Sequence, residues 1–125
     1  MTYAYDDQNI FAKILAGDIP NKTVSETEHT LAFHDINPQA PHHVLVIPKG
    51  PYVTGDHFAR DASDAEIIDF WRTYGAICAD LGVTPDTGEG YRIISNAGRD
   101  GVQDVPHFHL HILAGRPLGR MLNPA

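Results

Sequence analysis

Apolar positions along this chain change period several times, and each change marks an element. In Ile10-Phe11-Ala12-Lys13-Ile14-Leu15-Ala16 they recur at i, i+1, i+4 and i+5 before Gly17, which predicts a two-turn helix closed by glycine. Asp18 to Asn21 reads as a turn. Thr23 to Thr27 and Thr30 to Asp35 are rich in β-branched and aromatic residues and flank the polar break Glu28-His29, the pattern of a hairpin. His42-His43-Val44-Leu45-Val46-Ile47 is an apolar run bounded by Pro41 and Pro48, which fits a third, buried strand. Thr54 to Ala62 has polar residues without a period and reads as loop. Ser63-Asp64-Ala65-Glu66 then forms a capping box, and Ile67, Phe70, Trp71, Tyr74, Ile77, Cys78 and Leu81 follow at helical spacing up to Gly82. That is the one long helix. Tyr91 to Ser95 reads as a strand, Asn96 to Asp104 as a functional loop holding Gly98 and Gly101, and Val105 to Leu113 as a strictly alternating last strand. A short helix, three strands, a long helix and two strands leave only one long crossover. The expected class is therefore α+β, built on a five-stranded antiparallel sheet.

Composition narrows the function. A length of 125 residues is one domain's worth and can bury roughly two-thirds of its extended surface, so residues 1–125 are expected to form a single domain. Nine Lys plus Arg against sixteen Asp plus Glu give a net charge of -7, which supplies no broad attraction for a nucleic-acid polymer or an anionic membrane. No apolar run is long enough to span a bilayer, and Met-Thr-Tyr-Ala-Tyr-Asp-Asp lacks a signal-peptide profile. The single cysteine, Cys78, excludes an internal disulfide and a CxxC zinc knuckle. A cytoplasmic location is expected from this.

The chemistry concentrates in Pro106-His107-Phe108-His109-Leu110-His111-Ile112-Leu113. On a strand, residues 107, 109 and 111 share one face, and Phe108, Leu110 and Ile112 share the other. Three histidines on a plain solvent face are unexpected, because such faces mix Lys, Glu and Thr. A metal centre meets a geometric obstacle: residues four apart on a strand lie about 13 Å apart, so all three cannot clasp one ion. A neighbouring pair could, with a third ligand from His34, His42 or His43. The remaining reading is nucleophilic, since a neutral imidazole whose second nitrogen is held as a donor presents a lone pair to phosphorus while its neighbours polarise the phosphoryl oxygens.

This His-φ-His-φ-His-φ-φ run resembles the signature of the histidine triad superfamily of nucleotidyl hydrolases and transferases. The resemblance spans nearly the whole chain. Asn9 to Ile14, Leu31 to Pro41, His43, Val46-Ile47-Pro48-Lys49 and Asn96 are similar to segments of its histidine triad nucleotide-binding protein branch. The resemblance implies that His109 is the nucleophile, attacking the α-phosphorus of a nucleotide and becoming transiently nucleotidylated. It implies that the His107 carbonyl fixes the ring of His109, that His111 is a phosphate ligand and that His43 supports the triad. It places Asn96, Gln103 and the glycine-containing backbone at the phosphate and leaving group, and Asp35 on the ribose hydroxyls. Ile10, Phe11, Ile14, Phe33, Ile36 and Leu45 then form the apolar clamp around the base, although periodicity alone assigns half of them to the core.

The family also implies a homodimer, joined through the long helix and the strand near Tyr91 to Ser95 into one continuous sheet. Trp71 and Tyr74 then belong to core or dimer surface, and Cys78 is an inert buried thiol. His29 and His57 lie in turn-like segments without an assigned role. Two departures stand out: Asp104 occupies a position where many animal members have serine, and the tail Gly115 to Leu122 resembles bacterial members and lacks a Trp-Pro-Pro ending. The expected activity is hydrolysis of purine nucleoside phosphoramidates without metal or cofactor. Dinucleoside polyphosphate hydrolysis and a nucleotide-binding regulatory role with little turnover stand as the alternatives.

Overall fold

The computed structural model describes residues 3–124. Helix α1 spans Ile10–Leu15, and strands β1, β2 and β3 span Thr23–Glu26, Thr30–His34 and His42–Pro48. Helices α2 (Gly55–Asp61) and α3 (Asp64–Leu81) lead to β4 (Tyr91–Ile94) and β5 (Leu110–Ala114). The strands form one sheet in the order β1-β2-β3-β5-β4, antiparallel at every pairing. The crossover through α2 and α3 carries the chain to the far edge as β4, and β5 returns between β4 and β3.

Local signals explain most boundaries. Asn9 caps α1 by accepting the Ala12 amide at 2.9 Å. Ser63 and Glu66 close both bonds of the capping box, and Gly82 ends α3 at φ 71°, a left-handed conformation that costs any residue with a Cβ. Asp69, on α3, accepts from the Thr27 and Thr30 hydroxyls and the His29 amide, so one carboxylate ties the helix to the β1–β2 turn.

The sheet is covered on both faces, and alternation sorts its residues between them. Val44, Val46, Leu110 and Ile112 join Phe58, Phe70, Ile77 and Phe108 in the core under α3. Leu31, Phe33, Leu45 and Ile47 join Phe11 of α1 on the other face. Phe33 pairs with Leu45, and Leu45 with His111, which sets those three abreast on the α1 side.

Two expectations need correction. Thr54 to Ala62 is not loop: Thr54 accepts the His57 amide as an N-cap, and α2 follows, making a second short helix. Its only buried residue is Phe58, so no apolar period announces it. The last strand begins at Leu110 and not at Val105, because its partner β3 ends the ladder at the Val46↔Leu110 pair. His107 and His109 lie just ahead of it, where the Phe108 amide donates to the Tyr52 carbonyl at 2.8 Å.

Candidate active site

Each histidine of the triad has a ring nitrogen committed to a partner that fixes its tautomer. The Pro48 carbonyl can only accept, so His107 Nε2, 2.8 Å from it, carries the proton. Nδ1 of the same ring holds a lone pair and takes the Tyr5 hydroxyl proton at 2.6 Å. The His107 carbonyl in turn accepts from His109 Nδ1 at 2.7 Å. The proton of His109 is therefore on Nδ1, and Nε2 is left as a free lone pair. Burial pushes the His107 ring down to about 4 and also lowers His109, against the opposing pull of the His107 carbonyl and of Asp104 and Asp35. Both rings are neutral at pH 7.

A second chain of hydrogen bonds sets His111. The Gln39 amide donates to His43 Nδ1 at 3.1 Å, so the His43 proton sits on Nε2, which faces His111 Nδ1 at 2.9 Å. His111 consequently keeps its proton on Nε2, as a donor. Burial holds His111 at about 4, with the neighbouring His109 and His43 rings adding to the effect. His43 is lowered by burial as well, although the Asp35 carboxylate stands 3.4 Å from its Nε2 and opposes the shift. The His109 and His111 rings meet edge to face at 5.0 Å, and Phe11 presents its edge to His109 at 5.0 Å. A ring with a lone pair on Nε2 and a ring with a proton on Nε2 are thus adjacent.

Asp35, His43 and His111 place three ligand-type atoms within 4.8 Å of one another, a spacing that suits a metal ion. The tautomers do not suit it. With Nδ1 of His43 accepting from Gln39, its Nε2 offers a proton where the ion needs a lone pair.

The other expected site residues divide by burial and by hydrogen bonding. Asp35 accepts the Asn37 amide at 2.8 Å and flanks His43, and an ionised carboxylate still has lone pairs to spare for two hydroxyls. Phe11, Phe33 and Leu45 are buried core, Ile14 is half-buried, and Ile10 and Ile36 stand exposed at 44% and 87%. Asn96 donates to the Gly101 carbonyl at 2.6 Å. Gln103 donates to the Val53 and Val105 carbonyls and accepts the Gly98 amide, so both side-chain amides shape the loop. Gly101 is required there, because a Cβ would run into the Ala97 backbone. Val102 adopts φ 55°, a strained conformation for a β-branched residue, in the same loop. Asp104 is exposed at the loop's end. Tyr5, the Gln39 amide and the Pro48 carbonyl are contributors that sequence reasoning missed, since Tyr5 lies in an aperiodic segment and the other two act through backbone atoms.

The family model described as HIT domain matches residues 16–118. The chain belongs to the HIT domain family. Among HIT relatives, an uncharacterized 13.2 kDa HIT-like protein from Azospirillum brasilense is 54% identical over 122 residues, covering 98% of each chain. The purine nucleoside phosphoramidase of Escherichia coli K12 is 39% identical over 117 residues, covering 93% of this chain and 94% of its own. A solved HIT family hydrolase from Clostridium thermocellum superposes with a TM-score of 0.78 at 32% identity, covering 94% of this chain and 99% of its own. The five-stranded antiparallel sheet described above is thus the HIT fold.

Proposed function

We propose that this HIT protein hydrolyses purine nucleoside phosphoramidates through a covalent nucleotidyl-His109 intermediate. The supporting observation is the His109 tautomer: with Nδ1 donating to the His107 carbonyl at 2.7 Å, the neutral ring presents Nε2 as a nucleophile. Nε2 attacks the α-phosphorus, a nitrogen–phosphorus bond to the ring forms, and the bond to the amine breaks with its electron pair leaving on nitrogen. The departing nitrogen must take a proton. Solvent supplies it, with the exposed Asp104 at the loop's end as the group that would relay it, while the neutral His111 ring donates its Nε2–H as a hydrogen bond to the phosphoryl oxygen. Water then attacks phosphorus and returns a proton to solvent, the bond to His109 Nε2 breaks with its electron pair going back to the ring, and the nucleoside monophosphate is released. Asn96 and the loop backbone serve the phosphate, Gln103, whose two N–H donors are spent on the Val53 and Val105 carbonyls, holds that loop in shape, Asp35 serves the ribose, and Ile10 and Ile36 offer exposed apolar surface to the base. The 39% identity to a purine nucleoside phosphoramidase supports the choice of substrate.

The test is a substrate panel. Adenosine phosphoramidate should be cleaved far faster than diadenosine polyphosphates, and His109→Gly should lose at least about a thousandfold in turnover while still binding adenosine monophosphate. Asp104→Ala should slow the phosphoramidate more than substrates with good leaving groups if Asp104 supplies the proton. Faster cleavage of the dinucleotides would replace this reading with a polyphosphate hydrolase. Tight monophosphate binding without either activity would replace it with a regulatory module.

A further inference from the structure

From the N-terminal segment we infer that Tyr5 is a positioning residue for the nucleophile, acting through His107; as an effect on turnover, this inference rests on the function proposed above. The chain of contacts is short and each bond has a determined direction. The Tyr5 hydroxyl donates to His107 Nδ1 at 2.6 Å, His107 Nε2 donates to the Pro48 carbonyl at 2.8 Å, and the His107 carbonyl accepts from His109 Nδ1 at 2.7 Å. His107 has no exposed surface, so its ring can find no replacement partner in solvent. Both ring nitrogens are therefore gripped, one by Tyr5 and one by the end of β3, and the residue whose carbonyl aligns His109 is clamped from two sides.

The direction of the Tyr5 bond matters. Pro48 offers only an acceptor, so it demands the Nε2–H tautomer of His107, and that tautomer needs a donor at Nδ1. Tyrosine supplies one and phenylalanine does not. The ring of Tyr5 also meets His107 edge to face at 5.5 Å and 72°, so removing the hydroxyl alone leaves the packing in place. An unpartnered buried acceptor then favours ring rotation or entry of water, and either one moves the His107 backbone that orients the nucleophile. The segment has a built-in control. Tyr3, two residues earlier, donates to Asp56 and stacks on His57 at 4.8 Å, on the α2 side and away from the triad.

Tyr5→Phe should lower kcat for adenosine phosphoramidate by roughly tenfold, leave KM within about twofold, and lower the thermal midpoint by about a few degrees while the chain stays folded. Nitrogen NMR should show the His107 Nδ1 resonance moving toward that of an unbonded ring nitrogen, with a smaller shift at His109. Tyr3→Phe should behave as wild type in both measurements. An unchanged kcat in Tyr5→Phe would overturn the assignment, and so would an equal loss in Tyr3→Phe, which would assign the effect to docking of the segment and not to the hydroxyl. Should the wild-type chain fail to cleave the phosphoramidate, the substrate reading fails and the NMR readout decides alone: unmoved His107 and His109 resonances in Tyr5→Phe overturn the positioning role.

Discussion

Buried neutral histidines leave a signature in acid that exposed ones do not. His107 and His111 are held at about 4 by burial, whereas the same residues in the unfolded chain titrate near 6.5. As pH falls through 6.5, the unfolded state binds protons that the folded state refuses, so stability is complete above 6.5 and declines toward 4. The urea midpoint should therefore drop between pH 7 and pH 5, before most carboxylates titrate. His111→Asn should make that slope shallower. A midpoint flat across this range would show that the rings are not held neutral. Burial shifts His109 in the same direction, against the pull of the His107 carbonyl, Asp104 and Asp35.

At the scale of elements, the aromatic cluster couples the helices to the histidine segment. Phe58 of α2, Phe70 of α3 and Phe108 lie mutually 5.1 to 5.3 Å apart between ring centroids, and Phe70 is fully buried. Phe108 is the residue between His107 and His109, so the cluster anchors the stretch that β5 leaves outside its ladder. Phe70→Ala should cost about 3–5 kcal/mol through lost burial and a cavity. Chemical denaturation would measure it, and a loss below about 1 kcal/mol would mean that the histidine segment is held by its hydrogen bonds alone. The cluster also explains α2. A seven-residue helix with one buried side chain has no period of its own, and its capping signals, Thr54 before it, Asp56 in the first turn and Arg60 in the last, became legible only once Phe58 had somewhere to pack.

On the whole molecule, β1 and β4 are the sheet edges, and β4 lies beside an apolar groove lined by Phe58, Ile67, Trp71, Ile93 and Leu110. Ile68 and Trp71 on α3 are 56% and 47% exposed. An open strand edge beside exposed apolar surface is what a second copy would cover, and we propose the homodimer on that ground. Light scattering at micromolar concentration should give twice the chain mass, and Trp71→Glu should shift it toward one. A stable wild-type monomer would overturn the proposal. No helix among the described residues is long and apolar enough to cross a membrane.

Period and spacing were enough for the α+β class, the three-strand start, the capped long helix and the one-sided array of histidines, because each depends on neighbours within a few residues. The resemblance of flanking segments added the expectation that His109 is the nucleophile. Tertiary structure decided what depends on atoms far apart in the chain. The Nε2–H proton of His107 is set by a carbonyl 59 residues away and its Nδ1 partner by a hydroxyl 102 residues away. The proton on His111 is set by His43, 68 residues off, itself oriented by a backbone amide in the loop before β3. Side-chain alternation carries no information on which ring nitrogen holds a proton. That is settled by the partners the fold brings within 3.1 Å, and the proposed attack by His109 Nε2 rests on it.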